Sequence, residues 1–163
     1  MSSSQEEKLL EAHERYRLKR PKSASADGEA RKVMPGGNTR SVLHFDPFPF
    51  RVATAEGPHL VDVDGNQYVD LLGNYTAGLL GHSPTAVRQA VSAALETGFS
   101  LGATHTVEIE AARLLTERFP SLEQVRFTNS GTEANLMALA LAKHRTGRER
   151  ILAFKNGYHG GVL

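Results

Sequence analysis

Residues 124–154 run strand, helix, strand, and this order constrains the fold more than any other feature of the chain. Residues 124–128 are short, apolar and strand-like, residues 132–145 follow as a helix stopped by Thr146-Gly147, and residues 150–154 form a second strand-like run. Two strands joined through a helix belong to a parallel sheet, because only a long crossover can return the chain in the same direction. Such sheets bury both faces and need several strands with helices on each side. The segments ahead of residue 124 supply an antiparallel flap and two helices, which leaves most of one sheet face open. The expectation is the amino-terminal part of a larger α/β protein.

The turn between the first strand and the helix carries the chemistry. Ser130 and Glu133 stand at capping-box spacing, so side chains care for two of the orphan amides at the helix start. The remaining N–H groups, the hydroxyls of Ser130 and Thr132 and the positive end of the helix dipole converge on one point. That point suits an anion, and a phosphate monoester fits it. Taken alone, these residues also describe an ordinary capped helix.

Upstream, residues 5–20 show an amphipathic helical pattern, and a Ser/Ala/Pro-rich stretch at 21–26 reads as a break. Met34-Pro35-Gly36-Gly37-Asn38-Thr39-Arg40 is a tight loop, and prolines keep Pro47-Phe48-Pro49-Phe50 extended. Runs 59–63 and 67–71 flank Asp64-Gly65-Asn66, a hairpin signal in which Asp64 is turn chemistry. A helical period then begins at Ser83-Pro84, with Val87, Ala90, Val91, Ala94 and Leu95 on one face and Gly98 as the stop. A second helix spans about 107–119, with Ile109, Ala112, Leu115 and Phe119 inward and Pro120 as the end. The domain expectation is a helical arm at 1–33, a segment with a small antiparallel sheet at 34–81, and the start of a large α/β domain at 82–163.

Composition narrows the function classes. With no Cys among 163 residues, a disulfide framework and thiol chemistry are excluded. A formal charge of +1 argues against a general nucleic-acid surface, and no window is long and apolar enough for a bilayer. The first twenty residues lack an apolar core and carry Glu6, Glu7, Glu11 and Glu14, so neither a secretory signal nor an organelle transit peptide is expected, and the default is cytoplasmic. Seven histidines show no ligand spacing, so no metal site is expected, and a nucleotide P-loop motif is absent from the sequence.

Four runs, in order, carry a family resemblance: MPGGNTR (34–40), LVDVDGNQYVDLLGNYTAGLLGHS (60–83), NSGTEAN (129–135) and FKNGYHG (154–160). In them the chain resembles the class III, fold-type I pyridoxal-phosphate aminotransferases, particularly β-amino-acid (β-phenylalanine-type) aminotransferases and glutamate-1-semialdehyde 2,1-aminomutases. The resemblance implies an N-terminal arm, a small antiparallel unit and the start of the large parallel-sheet domain of that fold. It implies pyridoxal 5'-phosphate as cofactor, with Ser130, Gly131 and Thr132 as its phosphate cup. Tyr158 would stack on the pyridine ring with His159 beside it, which suits a flat electron-poor ring at the carboxyl end of a parallel strand. Arg40 would bind the substrate carboxylate, for which a planar guanidinium fork is suited. Val42 and Tyr75 would line the side-chain pocket.

The run PGGNTR departs from the form of many aminomutases, where a proline and the arginine fall later, and this favours an aminotransferase. An aminomutase on the same scaffold and a truncated non-catalytic homologue remain as alternatives. The family's Schiff-base lysine matches none of Lys8, Lys19, Lys22, Lys32, Lys143 and Lys155, so this stretch alone is expected to be inactive. Amino-acid and keto-acid substrates and a homodimeric parent chain complete what the resemblance implies.

Overall fold

Two helices open the chain where one helix and a break were expected. In the computed structural model, which describes residues 3–161, α1 spans Ser3–Leu18 and α2 spans Pro21–Val33. Pro21 sits in the first turn of α2, where its missing N–H costs nothing. The N-cap residue Arg20 provides no side-chain cap. Asp64 provides it from a distance, accepting from the amides of Lys22 (2.7 Å) and Ser23 (2.9 Å) and from Ser23 Oγ (2.7 Å). The expected break at 21–26 is therefore a helix start, made stable by a carboxylate far along the sequence and beyond any local window.

Two compact units follow from the folding of the chain, Met1–Phe99 and Ser100–Leu163. The first contains the expected hairpin: β2 (His59–Asp62) pairs antiparallel with β3 (Gln67–Val69), with Leu60 opposite Tyr68. A further strand, β1 (Val52–Glu56), pairs antiparallel with β2 and completes the order β1-β2-β3. Its run VATAE has too little apolar alternation to stand out in the sequence. Asp62 sits buried at the hairpin end and accepts from Tyr68 Oη (2.6 Å), Asn66 Nδ2 (2.9 Å) and the amides of Asp64 (3.0 Å) and Asn66 (2.8 Å). Burial works to raise its carboxyl, but these donors together hold it below the ordinary range. Arg20 Nε donates to Tyr68 Oη at 2.8 Å and its guanidinium lies 4.1 Å from the Tyr16 ring centroid, which ties α1 and α2 to the sheet. Phe50 stacks on Tyr68 at 4.7 Å, Phe48 meets Tyr16 edge-on at 5.2 Å, and Phe48 is buried.

The loop after α2 is held as closely as the sheet. Gly37 adopts φ +72°, which strains any other residue, and a Cβ there would crowd Arg31 Cγ at 3.0 Å and Asp27 Oδ1 at 3.2 Å. Arg51 Nη2 donates to Gly37 O at 2.7 Å and lies 3.4 Å from Asp27 Oδ1, fixing the PGG turn to the sheet. Helix α3 (Thr85–Thr97) stops at Gly98 as expected, but Pro84 stands one position before the first helical residue, as the N-cap with extended ψ of 131°.

In the second unit, α4 spans Thr106–Arg118 and is capped by His105: its Nδ1 accepts from the Val107 amide at 3.2 Å, and the Glu108 carboxylate accepts from the His105 amide at 3.1 Å. Helix α5 spans Gly131–Thr146 and ends on Gly147 in the left-handed conformation. The expected strands at 124–128 and 150–154 are not formed: among the described residues neither has a ladder partner. A strand is defined by hydrogen bonds to a neighbour, and two strands of one strand–helix–strand unit need not be each other's neighbours. Of the residues expected to point inward along α4, Ala112 and Leu115 are half-buried while Ile109 (59%) and Phe119 (50%) are exposed, and Leu152 in the 150–154 run is 92% exposed. No helix of the described residues is long and apolar enough to cross a membrane.

Candidate functional site

The expected cofactor residues gather at the start of α5. Ser130 is the N-cap with extended backbone (φ −155°, ψ 160°), and its Oγ accepts from the Glu133 amide at 3.2 Å. The Glu133 carboxylate reaches back one residue further than the capping-box spacing indicates, accepting from the Asn129 amide at 2.9 Å. The amides of Gly131 and Thr132 take part in none of these bonds, as first-turn N–H groups have no helical partner. Thr132 Oγ1 accepts from the Gly161 amide at 3.2 Å. Both hydroxyls thus serve as acceptors within the protein and retain their protons for an outside acceptor. Two free amides, two hydroxyl protons and the helix dipole make a donor set that fits a phosphate monoester.

The loop after residue 154 packs directly on this helix start. Gly160, at φ +96°, comes so near that a Cβ there would stand 2.8 Å from Thr132 Oγ1. Asn135 Nδ2, one turn into α5, donates to His159 O at 3.0 Å, and His159 Nε2 lies 3.4 Å from Phe154 O. Gly157 leaves room for that ring, since a Cβ on it would be 2.7 Å from His159 Nε2. Tyr158 is held between these ties with its side chain 83% exposed, so its ring is open to a planar ligand. Asn135, Gly157 and Gly160 stand within the NSGTEAN and FKNGYHG runs, yet no role is expected from the sequence for them or for Gly161; the glycine spacing of the loop is the signal that marks it.

The expected substrate residues gather in the other unit. Tyr75 Oη donates to Val42 O at 3.1 Å, and the Arg40 guanidinium lies 5.2 Å from the Tyr75 ring centroid, within cation–π range. The three residues border a cleft of about 550 Å³ whose wall also includes Phe45, Phe50 and Leu60. Tyr75 reaches Arg40 because Gly73, Asn74, Tyr75 and Thr76 all adopt positive φ (55°, 50°, 55° and 73°). Asn74 tolerates this conformation, but for Tyr75 and Thr76 left-handed backbone costs roughly 1–2 kcal/mol each.

Asp70 and His82 also border the cleft, and neither was singled out for a site. Asp70 Oδ1 accepts from the Leu72 and Gly73 amides, each at 2.9 Å, and Oδ2 accepts from His82 Nε2 at 2.7 Å. The Gly73 amide and the His82 ring hold this carboxyl below the usual range, against a smaller opposing effect of burial.

The family model described as Aminotransferase class-III matches residues 43–163. A β-phenylalanine transaminase of Variovorax paradoxus is 48% identical over 155 residues, covering 95% of this chain and 36% of that protein. A crystal structure of a β-phenylalanine aminotransferase from that organism superimposes with a TM-score of 0.93 over 97% of this chain and 37% of its own, at 48% identity. A solved transaminase with PLP bound has a TM-score of 0.83 at 40% identity, covering 86% of this chain and 33% of its own. A glutamate-1-semialdehyde 2,1-aminomutase of Methanocella arvoryzae is 37% identical over 143 residues, covering 88% of this chain and 34% of that protein. The chain thus spans about a third of the length of the curated relatives it matches. Its fold is the N-terminal portion of the fold-type I transaminases. The chain belongs to the class III aminotransferase family, and its PLP-bound structural neighbours indicate pyridoxal 5'-phosphate as the cofactor.

Proposed function

We propose that the full-length protein is a transaminase moving an amino group between an amino acid, specifically a β-amino acid, and a keto acid. The observation that carries this reading is the donor set at the start of α5, with the Tyr158 loop seated on it. In it Ser130, Thr132 and the Gly131 and Thr132 amides hold the cofactor phosphate, and the α5 dipole favours its charge. Tyr158 covers one face of the ring, with His159 alongside. Pyridoxal phosphate, when bound, supplies an electron-withdrawing ring system that stabilises negative charge next to the transferred amino group.

Arg40 takes the substrate carboxylate through its planar fork, and this sets the orientation of the carbon chain. Val42 and Tyr75 line the wall that receives the substrate side chain. The proton-moving lysine lies outside these 163 residues, so the chain alone does not transaminate. Three proposals about the whole protein accompany this reading. Residues 1–33 are a helical arm, 34–81 a segment with a small antiparallel sheet and 82–163 the start of a large α/β domain. The family implies a homodimer, and the charged N-terminal sequence without an apolar core makes cytoplasmic the default. The remaining two-thirds of the protein covers the open apolar faces of α4 and the 150–154 run.

The test is product analysis on the full-length protein supplied with 3-amino-3-phenylpropanoate, with and without 2-oxoglutarate. Amino transfer only with the keto acid supports the reading. No transfer from the β-amino acid, together with isomerisation of glutamate-1-semialdehyde in the absence of any keto acid, contradicts it and favours the aminomutase.

A further inference from the structure

We propose that Asp70 and His82 are positioning residues for Arg40, holding the turn that places Tyr75 beneath its guanidinium; this rests on the reading of the cleft as the carboxylate site. His82 is anchored by its backbone to the turn between β1 and β2, donating to Gly57 O at 2.8 Å and accepting from the Gly57 amide at 3.0 Å. Gly81 allows this approach, since a Cβ on it would stand 2.8 Å from Gly57 O. From that fixed point the His82 ring holds Asp70 Oδ2 at 2.7 Å. The other oxygen, Oδ1, accepts from Leu72 and Gly73, the two amides that open the left-handed run. Gly78 closes the run by donating to Gly73 O at 2.8 Å.

The run places Tyr75 with its hydroxyl on Val42 O and its ring 5.2 Å from the Arg40 guanidinium carbon. Left-handed backbone at Tyr75 and Thr76 is intrinsically unfavourable, so the turn depends on what holds its ends. The Asp70 side chain is 9% exposed, and without its carboxylate the Leu72 and Gly73 amides lose their acceptor. The turn then relaxes, Tyr75 leaves Arg40, and the fork loses its fixed aim. Loss of aim weakens a ligand with a carboxylate and leaves a ligand without one little changed.

The experiment is calorimetric titration of full-length, cofactor-loaded protein with 3-phenylpropionate and, in parallel, with 3-phenylpropan-1-ol. Asp70→Ala and His82→Phe are each expected to raise Kd for the carboxylate about tenfold, and to change Kd for the alcohol less than about twofold. Asp70→Asn is expected to recover most of the loss, because its amide oxygen still accepts from Leu72 and Gly73. Equal weakening of both probes means a general collapse of the cleft and overturns the proposal. So does unchanged carboxylate binding in His82→Phe and Asp70→Ala while Arg40→Ala weakens it; where Asp70→Ala fails to fold, His82→Phe decides by the same criterion. If Arg40→Ala itself leaves the carboxylate Kd unchanged, the reading of the cleft falls, and this inference with it.

Discussion

The Gly161 amide donates to Thr132 Oγ1 at 3.2 Å, so one bond both seats the Tyr158 loop on α5 and orients the Thr132 hydroxyl as a donor. Loop and phosphate cup are thus parts of one device. Thr132→Val keeps the shape, removes the hydroxyl and leaves the Gly161 amide without an acceptor. A hydrogen bond to a charged group contributes about 1.5–3 kcal/mol, so Kd for pyridoxal phosphate should rise roughly 10- to 100-fold. Thr132→Ser should restore most of it. Fluorescence titration of the full-length protein measures both.

Gly160→Ala should act on the same device from the loop side. Its Cβ would stand 2.8 Å from Thr132 Oγ1, and φ +96° is strained for alanine. The loop must lift from the helix, so cofactor binding should weaken by about tenfold or more, while α5 remains capped by Ser130. Circular dichroism checks the helix, and the same titration checks the cofactor.

Arg40→Ala should raise KM for carboxylate substrates by roughly 10- to 100-fold, the loss of a charge-assisted fork, with a smaller effect on kcat. Steady-state kinetics with 3-amino-3-phenylpropanoate measures it; an unchanged KM removes Arg40 from the site. Lysine at this position should recover only part, because a point charge does not reproduce a planar fork.

Acid should destabilise the Met1–Phe99 unit in a defined window. Asp62, Asp64 and Asp70 are all held below the ordinary carboxylate range in the folded chain. The unfolded chain therefore binds more protons as pH falls, and the stability these groups contribute is complete above their unfolded pKa of about 4 and is lost below it. Tyr68 gives the alkaline limit: burial and its bond to Asp62 push it up to about 12, so its contribution is full below about pH 10 and is lost as pH rises through 12. Asp62→Ala, which strands the Tyr68 hydroxyl and Arg20, should cost about 3 kcal/mol at pH 7 and blunt the acid response. Urea denaturation at pH 7, 4 and 3 checks the sign; rising stability on acidification contradicts it.

Local signals carried far in this chain. Pro84 and Gly98 bound α3, Gly147 ends α5, and Asp64-Gly65-Asn66 turns the hairpin, because caps and turns act within a few residues. Arg40, Val42 and Tyr75, which resemblance alone singles out, lie together in the folded chain. Long-range chemistry stayed hidden. Nothing near Pro21 announces that Asp64 will cap α2, and nothing near Asp70 announces that it holds a left-handed turn. The 124–128 and 150–154 runs carry strand character, but a ladder is a property of two segments, and a partner for either is not among the described residues.

The free amide of Gly131 offers the most direct test of the central claim, that the start of α5 holds the phosphate of pyridoxal phosphate. Gly131→Pro removes that amide at the first helical position, where proline is accepted and where extended Ser130 suits a following proline. Gly131→Ala keeps the amide and adds a Cβ into open space. Affinities of full-length protein for pyridoxal phosphate and for pyridoxal, which lacks the phosphate, should differ by about a hundredfold or more in the wild type and in Gly131→Ala, and that preference should shrink by about tenfold or more in Gly131→Pro. Equal affinity of the wild type for the two vitamers, or a preference untouched by Gly131→Pro, would contradict it.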